Sequence, residues 1–147
     1  MTQTDDTAFV VKTTEYAAND ALGPIGLVKT GSGGGMLLRG VSIRDKARQD
    51  VPYIIHIYRT EPSAIADSVA FAPSVADGDL ELGIVTINAA DYITANGNAY
   101  SKVYKAISKT EVREPGAGSF YVRLENTATK TYPAVDDIKV EFWYWMD

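Results

Sequence analysis

The run Tyr53–Tyr58, YIIHIY, constrains the fold of this chain more than any other stretch. Tyrosine and isoleucine suit a pleated, half-buried surface, so the run predicts a strand. Strand alternation puts Tyr53, Ile55 and Ile57 on one face and Ile54, His56 and Tyr58 on the other. Both faces are largely apolar. Such a strand belongs at the centre of a sheet, or has its second face against a partner subunit.

The rest of the chain repeats the pattern in weaker form. Strands are expected over Ala8–Thr14, Ile25–Lys29, Met36–Arg44, Leu80–Asn88, Tyr100–Lys109, Phe120–Glu125 and Ile138–Met146. Period-two alternation points Leu37, Val41 and Ile43 inward, with Arg39 spoiling that face, and does the same for Phe120, Val122 and Leu124. In the last strand Val140, Phe142, Tyr144 and Met146 share one parity. Lysines alternating with apolar residues place Tyr100–Lys109 at a sheet edge.

Turn chemistry separates these runs. Tyr16–Pro24 reads as a loop ending at Gly23-Pro24, Gly31–Gly35 as a wide hairpin loop, and Asp45–Asp50 as a charged, solvated turn. Ser74 with Asp77 resembles a capping box and predicts one helical turn, which Gly78 keeps short. Ala89–Ile93 reads as a helical turn or strand edge, Asn96-Gly97 as a hairpin and Glu111–Ser119 as a loop. Short strands at this spacing, without a long amphipathic helix, predict an all-β chain: a single-domain antiparallel β-sandwich. A jelly roll is the expected topology, with an immunoglobulin-like sandwich as runner-up. Residues 1–7 are expected as a flexible N-terminal arm and 8–147 as the domain.

Composition narrows function. A chain of 147 residues that is 46% hydrophobic and 22% charged can bury a core as one domain. The lack of cysteine removes disulfides and thiolate metal sites. A formal charge of −5, with lysines and arginines scattered along the strands, argues against a nucleic-acid partner. No apolar run reaches membrane-spanning length and no signal-peptide pattern opens the chain, so a soluble protein is expected.

Candidate chemistry is thin. Gly31–Gly35 is followed by Met36-Leu37-Leu38 rather than Lys-Ser/Thr, so it fails as a phosphate loop. His56, the one histidine, sits mid-strand with no nucleophile elbow and reads as a satisfied core or interface residue. Asp77-Gly78-Asp79-Leu80-Glu81 has oxygen ligands without calcium-loop spacing. No catalytic residue, metal or cofactor is assigned. Trp143 and Trp145 share the parity opposite Val140, Phe142 and Tyr144. They are either internal, or a protein-interface anchor, or a sugar-stacking platform.

Short motifs then carry a resemblance that spans Tyr16 to Tyr144. They are Ala17-Ala18-Asn19-Asp20-Ala21-Leu22-Gly23, Glu61-Pro62-Ser63 with Ile65-Ala66-Asp67, Ala70-Phe71, Gly83-Ile84-Val85 and Ala90-Asp91-Tyr92. With these the chain resembles the capsid decoration (cement) proteins of tailed bacteriophages. The resemblance implies a jelly-roll sandwich, oligomeric (a homotrimer is expected), attached to the outer surface of the capsid through the major capsid protein. It implies a structural virion protein made in the host cytoplasm, with no enzymatic activity. Asn19, Asp20, Arg113 and Glu114 are the candidate capsid contacts; Ile54, Tyr58, Trp143 and Trp145 are candidates for subunit packing. A carbohydrate- or receptor-binding module is the alternative, and a hydrolase using His56 the remote third.

Overall fold

The computed structural model describes residues 2–3, 7–29, 36–94, 99–107, 113–114, 118–135 and 137–146. Two antiparallel sheets pack face to face, as the period-two pattern predicts. The larger contains β5 (Met36–Asp45) between β8 (Ser101–Ala106) and β12 (Ile138–Met146). Two short strands, β1 (Thr2–Gln3) and β2 (Thr7–Phe9), flank β12, and β9 (Arg113–Glu114) pairs with β5. The smaller sheet runs β4 (Asp20–Lys29), β10 (Ser119–Asn126), β6 (Tyr53–Tyr58), β7 (Glu81–Ile87). A ribbon of β3 (Glu15–Tyr16) and β11 (Lys130–Thr131) closes one end.

The inward faces interdigitate. Val41, Ile43, Val103, Val140 and Phe142 from the larger sheet meet Ile55, Ile57, Phe120, Val122 and Leu124 from the smaller. Phe120 and Phe142 cross edge to face at 5.2 Å and so tie the two sheets together. Each such side chain contributes roughly 1.5–3 kcal/mol by leaving water. Tyr53 and Tyr132 share a buried hydroxyl hydrogen bond at the end that the ribbon covers.

Several local readings change. Thr2 and Gln3 pair with Tyr144 and Trp143, so the opening residues expected as a free arm supply a strand. Gly23-Pro24 does not end a loop. It lies inside β4, at a bulge where the register slips between Val122 and Leu124 of β10. An edge strand tolerates proline there, and Gly23 takes the left-handed φ of 69° that the bulge requires. β4 and β5, on either side of the glycine run, lie in different sheets and do not pair as a hairpin. That run and Asn96-Gly97 lie outside the described residues. Asp45 is buried, not solvated; its carboxylate accepts from the amides of Gln49 and Asp50, and burial raises its pKa. In β5 a bulge between Leu38 and Gly40 resets the parity, so Leu38, not Leu37, enters the core.

The outer face of the smaller sheet is covered in part by the chain itself, with Leu27 and Ile84 left exposed. Residues 59–80 leave β6, cross over this face and return as β7 through α1 (Val75–Leu80). Arg123 reaches up from β10 and donates to the carbonyls of Ser63 (2.8 Å) and Ile65 (2.6 Å). Phe71 stacks on His56 at 4.3 Å, and backbone bonds join Ser68 and Val69 to Ala21, and Phe71 to Asn19. The α1 start is the capping box that the sequence predicts. Asp77 accepts from the amides of Ser63 and Ser74 and from the Ser74 hydroxyl, and the Ser63 bond first among these holds its carboxyl down at about 2. A lowered carboxyl stabilises the fold above its unfolded value near 4 and loses that contribution as pH falls. Acidification from about pH 4 to about pH 2 is therefore expected to release Ser63 from α1. The protection of the Ser63 and Ser74 amides against exchange, relative to free peptide at the same pH, should fall across that window, and unchanged protection would contradict the assignment.

Candidate functional site

Among the described residues, no crossover covers the outer face of the larger sheet. Cross-strand register sets its side chains in rows. The first row is Lys139, Arg44 and Lys102 on β12, β5 and β8. The second is Glu141, Ser42 and Tyr104, and the third Trp143, Gly40 and Ala106. Beyond the β5 bulge, Trp145 pairs with Leu37, which pairs in turn with Arg113.

Aromatic and cationic groups interlock along these rows. The bulge turns Arg39 outward, and its guanidinium lies 4.5 Å from the centre of the Trp145 ring. Tyr104 meets Trp143 edge to face at 6.5 Å. Trp145 is 47% exposed and Tyr104 54%, whereas Trp143 is half-buried. Glu141 accepts from the Ser42 hydroxyl at 3.0 Å and lies 3.8 Å from the Lys102 ammonium. Gly40 is the seat of Tyr104: a Cβ there would lie 2.7 Å from the Tyr104 hydroxyl and 3.1 Å from the Lys105 carbonyl. Gly40→Ala should displace Tyr104 and cost about 1–2 kcal/mol of overpacking. Urea unfolding measures this, and a loss below about 0.5 kcal/mol would contradict the seating.

The predicted site residues divide. Trp143, Trp145 and the strand position of Arg113 gather toward one end of this face. Arg113–Glu114 is a strand paired with Met36 and Leu37, not a loop, because the start of β5 offers it an unpaired edge. Asn19 is exposed, but Asp20 is buried and uses its carboxylate internally, accepting from the Ala17 amide at 2.9 Å. That turn lies beside Asn126, at the opposite end of β10 from Ser119, roughly 25 Å away along the strand. Tyr58 is 0% exposed and Ile54 half-buried. The crossover packs on their side of the sheet, so Tyr58 offers no partner surface. Burial, with Glu81 nearby, pushes its phenol up to about 12.

His56 is satisfied within its own sheet. Nδ1 lies 2.8 Å from Glu81 and Nε2 2.9 Å from Glu125. Among the described residues, no group of three or more histidines and acids could hold a metal ion. Sequence reading missed Arg39, Lys102 and Tyr104 as surface partners of the tryptophans. The alternation of cations with apolar neighbours, taken there as scatter, is what sets them on one face. No family model matches the sequence, and neither a curated protein nor a solved structure is similar to it.

Proposed function

We propose that this protein decorates and stabilises the outer surface of a phage capsid, bridging major capsid subunits by adhesion. The observation that carries the reading is the asymmetry of the sandwich. One outer face is strapped by the chain's own crossover, and the other, open among the described residues, is lined by Trp143, Trp145, Tyr104 and Arg39. Tryptophan, tyrosine and arginine are the residue types that dominate binding energy when they cluster at a protein interface. The short motifs on which the chain resembles decoration proteins, Ala17–Gly23 and Glu61–Asp67 among them, accord with this reading. Bridging needs two contact points, and the Asn19 turn and the Arg113–Glu114 strand lie at opposite ends of the molecule. The open face is then left for contact between copies.

The sugar-binding alternative is less well served by this geometry. A stacking platform needs an open ring face, and Arg39 already occupies one face of Trp145. The test is capsid stability. DNA-filled heads lacking decoration should release their DNA at a higher temperature once the purified protein is added. An unchanged release temperature would contradict the proposal.

A further inference from the structure

We propose that Glu81 is a proton-operated switch: its carboxylate binds the His56 ring while that ring is protonated, and turns to the Tyr58 hydroxyl once the ring is neutral. The switch lies on the strapped side of the sandwich and is independent of capsid adhesion.

The donors on His56 come first. Each ring nitrogen faces a carboxylate, Nδ1 at 2.8 Å from Glu81 and Nε2 at 2.9 Å from Glu125. A carboxylate only accepts, so both contacts are hydrogen bonds only when both nitrogens carry a proton. The arrangement is that of an imidazolium. A neutral ring keeps one N–H and turns a lone pair toward the other carboxylate, so one of the two bonds must be given up.

Exposure decides which. The Glu81 side chain is 28% exposed and that of Glu125 14%. An unpaired carboxylate costs less the nearer it lies to water, so the neutral ring keeps its Nε2 proton on Glu125. Glu81 is released.

Tyr58 supplies the second position. It shares the outer face of β6 with His56, the two rings stacked at 6.4 Å, and its hydroxyl is buried without a hydrogen-bond partner. A buried donor left unmade is costly. Register brings the acceptor to it. The slip in the β6–β7 ladder between Ile57 and Tyr58 sets Glu81 opposite Tyr58, and from there the Glu81 side chain reaches diagonally to His56. Burial first, and Glu81 after it, raises the Tyr58 phenol, which marks how near this carboxylate lies.

The other charged groups on this side are committed elsewhere. Arg123, opposite His56 on β10, spends its guanidinium on the carbonyls of Ser63 and Ile65. Asp77 of α1 is held by Ser63 and Ser74. The crossover presents Phe71, which stacks on the His56 ring at 4.3 Å, and β7 sets Ile84 opposite it. Glu81 also caps α1, its amide donating to the Gly78 carbonyl. The switch therefore sits at the joint where the crossover returns to the sheet.

Carbon- and nitrogen-detected NMR of the intact chain over about pH 5 to 8, the range in which histidines change charge, tests this. The Glu81 carboxyl resonance should move on the same midpoint as the His56 ring, while the Glu125 carboxyl moves little. Nitrogen shifts should show the neutral ring protonated at Nε2. Tyr58→Phe removes the second position and should raise the His56 midpoint by about one pH unit, the effect of a charge-assisted bond lost from the neutral state alone. A carboxylate that merely sits beside the ring would leave that midpoint where it is. Stability gives a second readout of the same variant. At about pH 5 Tyr58→Phe removes only an unpartnered hydroxyl and should unfold in urea no earlier than wild type, whereas at about pH 8 it should unfold earlier. A Glu81 resonance that ignores the ring's titration, a neutral ring protonated at Nδ1, or a midpoint unmoved by Tyr58→Phe would each overturn the proposal. No capsid enters these measurements, so their failure leaves shell binding to be judged by its own test.

Discussion

Arg123→Met is expected to lower stability by about 3 kcal/mol and to loosen residues 59–80 while leaving the core intact. The guanidinium is nearly inaccessible, and burial lowers its pKa, yet it holds two crossover carbonyls at 2.8 and 2.6 Å and lies 5.7 Å from the Phe71 ring. Methionine keeps most of the volume and none of the donors. The carbonyls of Ser63 and Ile65 then lose charge-assisted bonds worth about 1.5–3 kcal/mol each, part of which water recovers. Urea unfolding gives the energy, and amide exchange at Ala21, Ser68 and Phe71, whose bonds join the crossover to β4, gives the location. If those amides stay protected, the crossover is held by something other than Arg123.

The second large effect separates the two faces of β12. Phe142→Ala should cost about 4 kcal/mol, because a wholly buried ring that meets Phe120 at 5.2 Å leaves a cavity between the sheets. Trp145→Ala, three residues on and pointing to the other side, should cost less than about 1 kcal/mol. Equal costs would mean that both faces of this strand are internal, and the docking surface would disappear with that result.

The parity of Phe120–Glu125 and Ile138–Met146 was legible because alternation is local: each residue's face follows from its neighbours along one strand. The same logic separated Tyr53, Ile55 and Ile57 from Ile54, His56 and Tyr58. It failed where a bulge adds a residue. Arg39 looked like an intruder on an inner face, and Gly23-Pro24 looked like punctuation, because a register slip is a property of two strands. It failed again at Tyr58, whose cover is a segment of small and acidic residues with no strand pattern of its own. The row of Lys139, Arg44 and Lys102 joins residues 95 and 58 positions apart in the sequence (139 − 44 and 102 − 44), brought together only by cross-strand pairing. Alternation sets Trp143 and Trp145 opposite the Val140, Phe142 and Tyr144 face but leaves open whether they are internal, and the partners that make them a surface are not legible in it.

The central claim is that this sandwich acts by adhesion to a capsid shell. Cosedimentation of the purified protein with expanded, undecorated heads tests it most directly. The account predicts binding that saturates at a fixed number of copies per head. Protein that stays in the supernatant at every concentration, or that pellets without saturating, would contradict it.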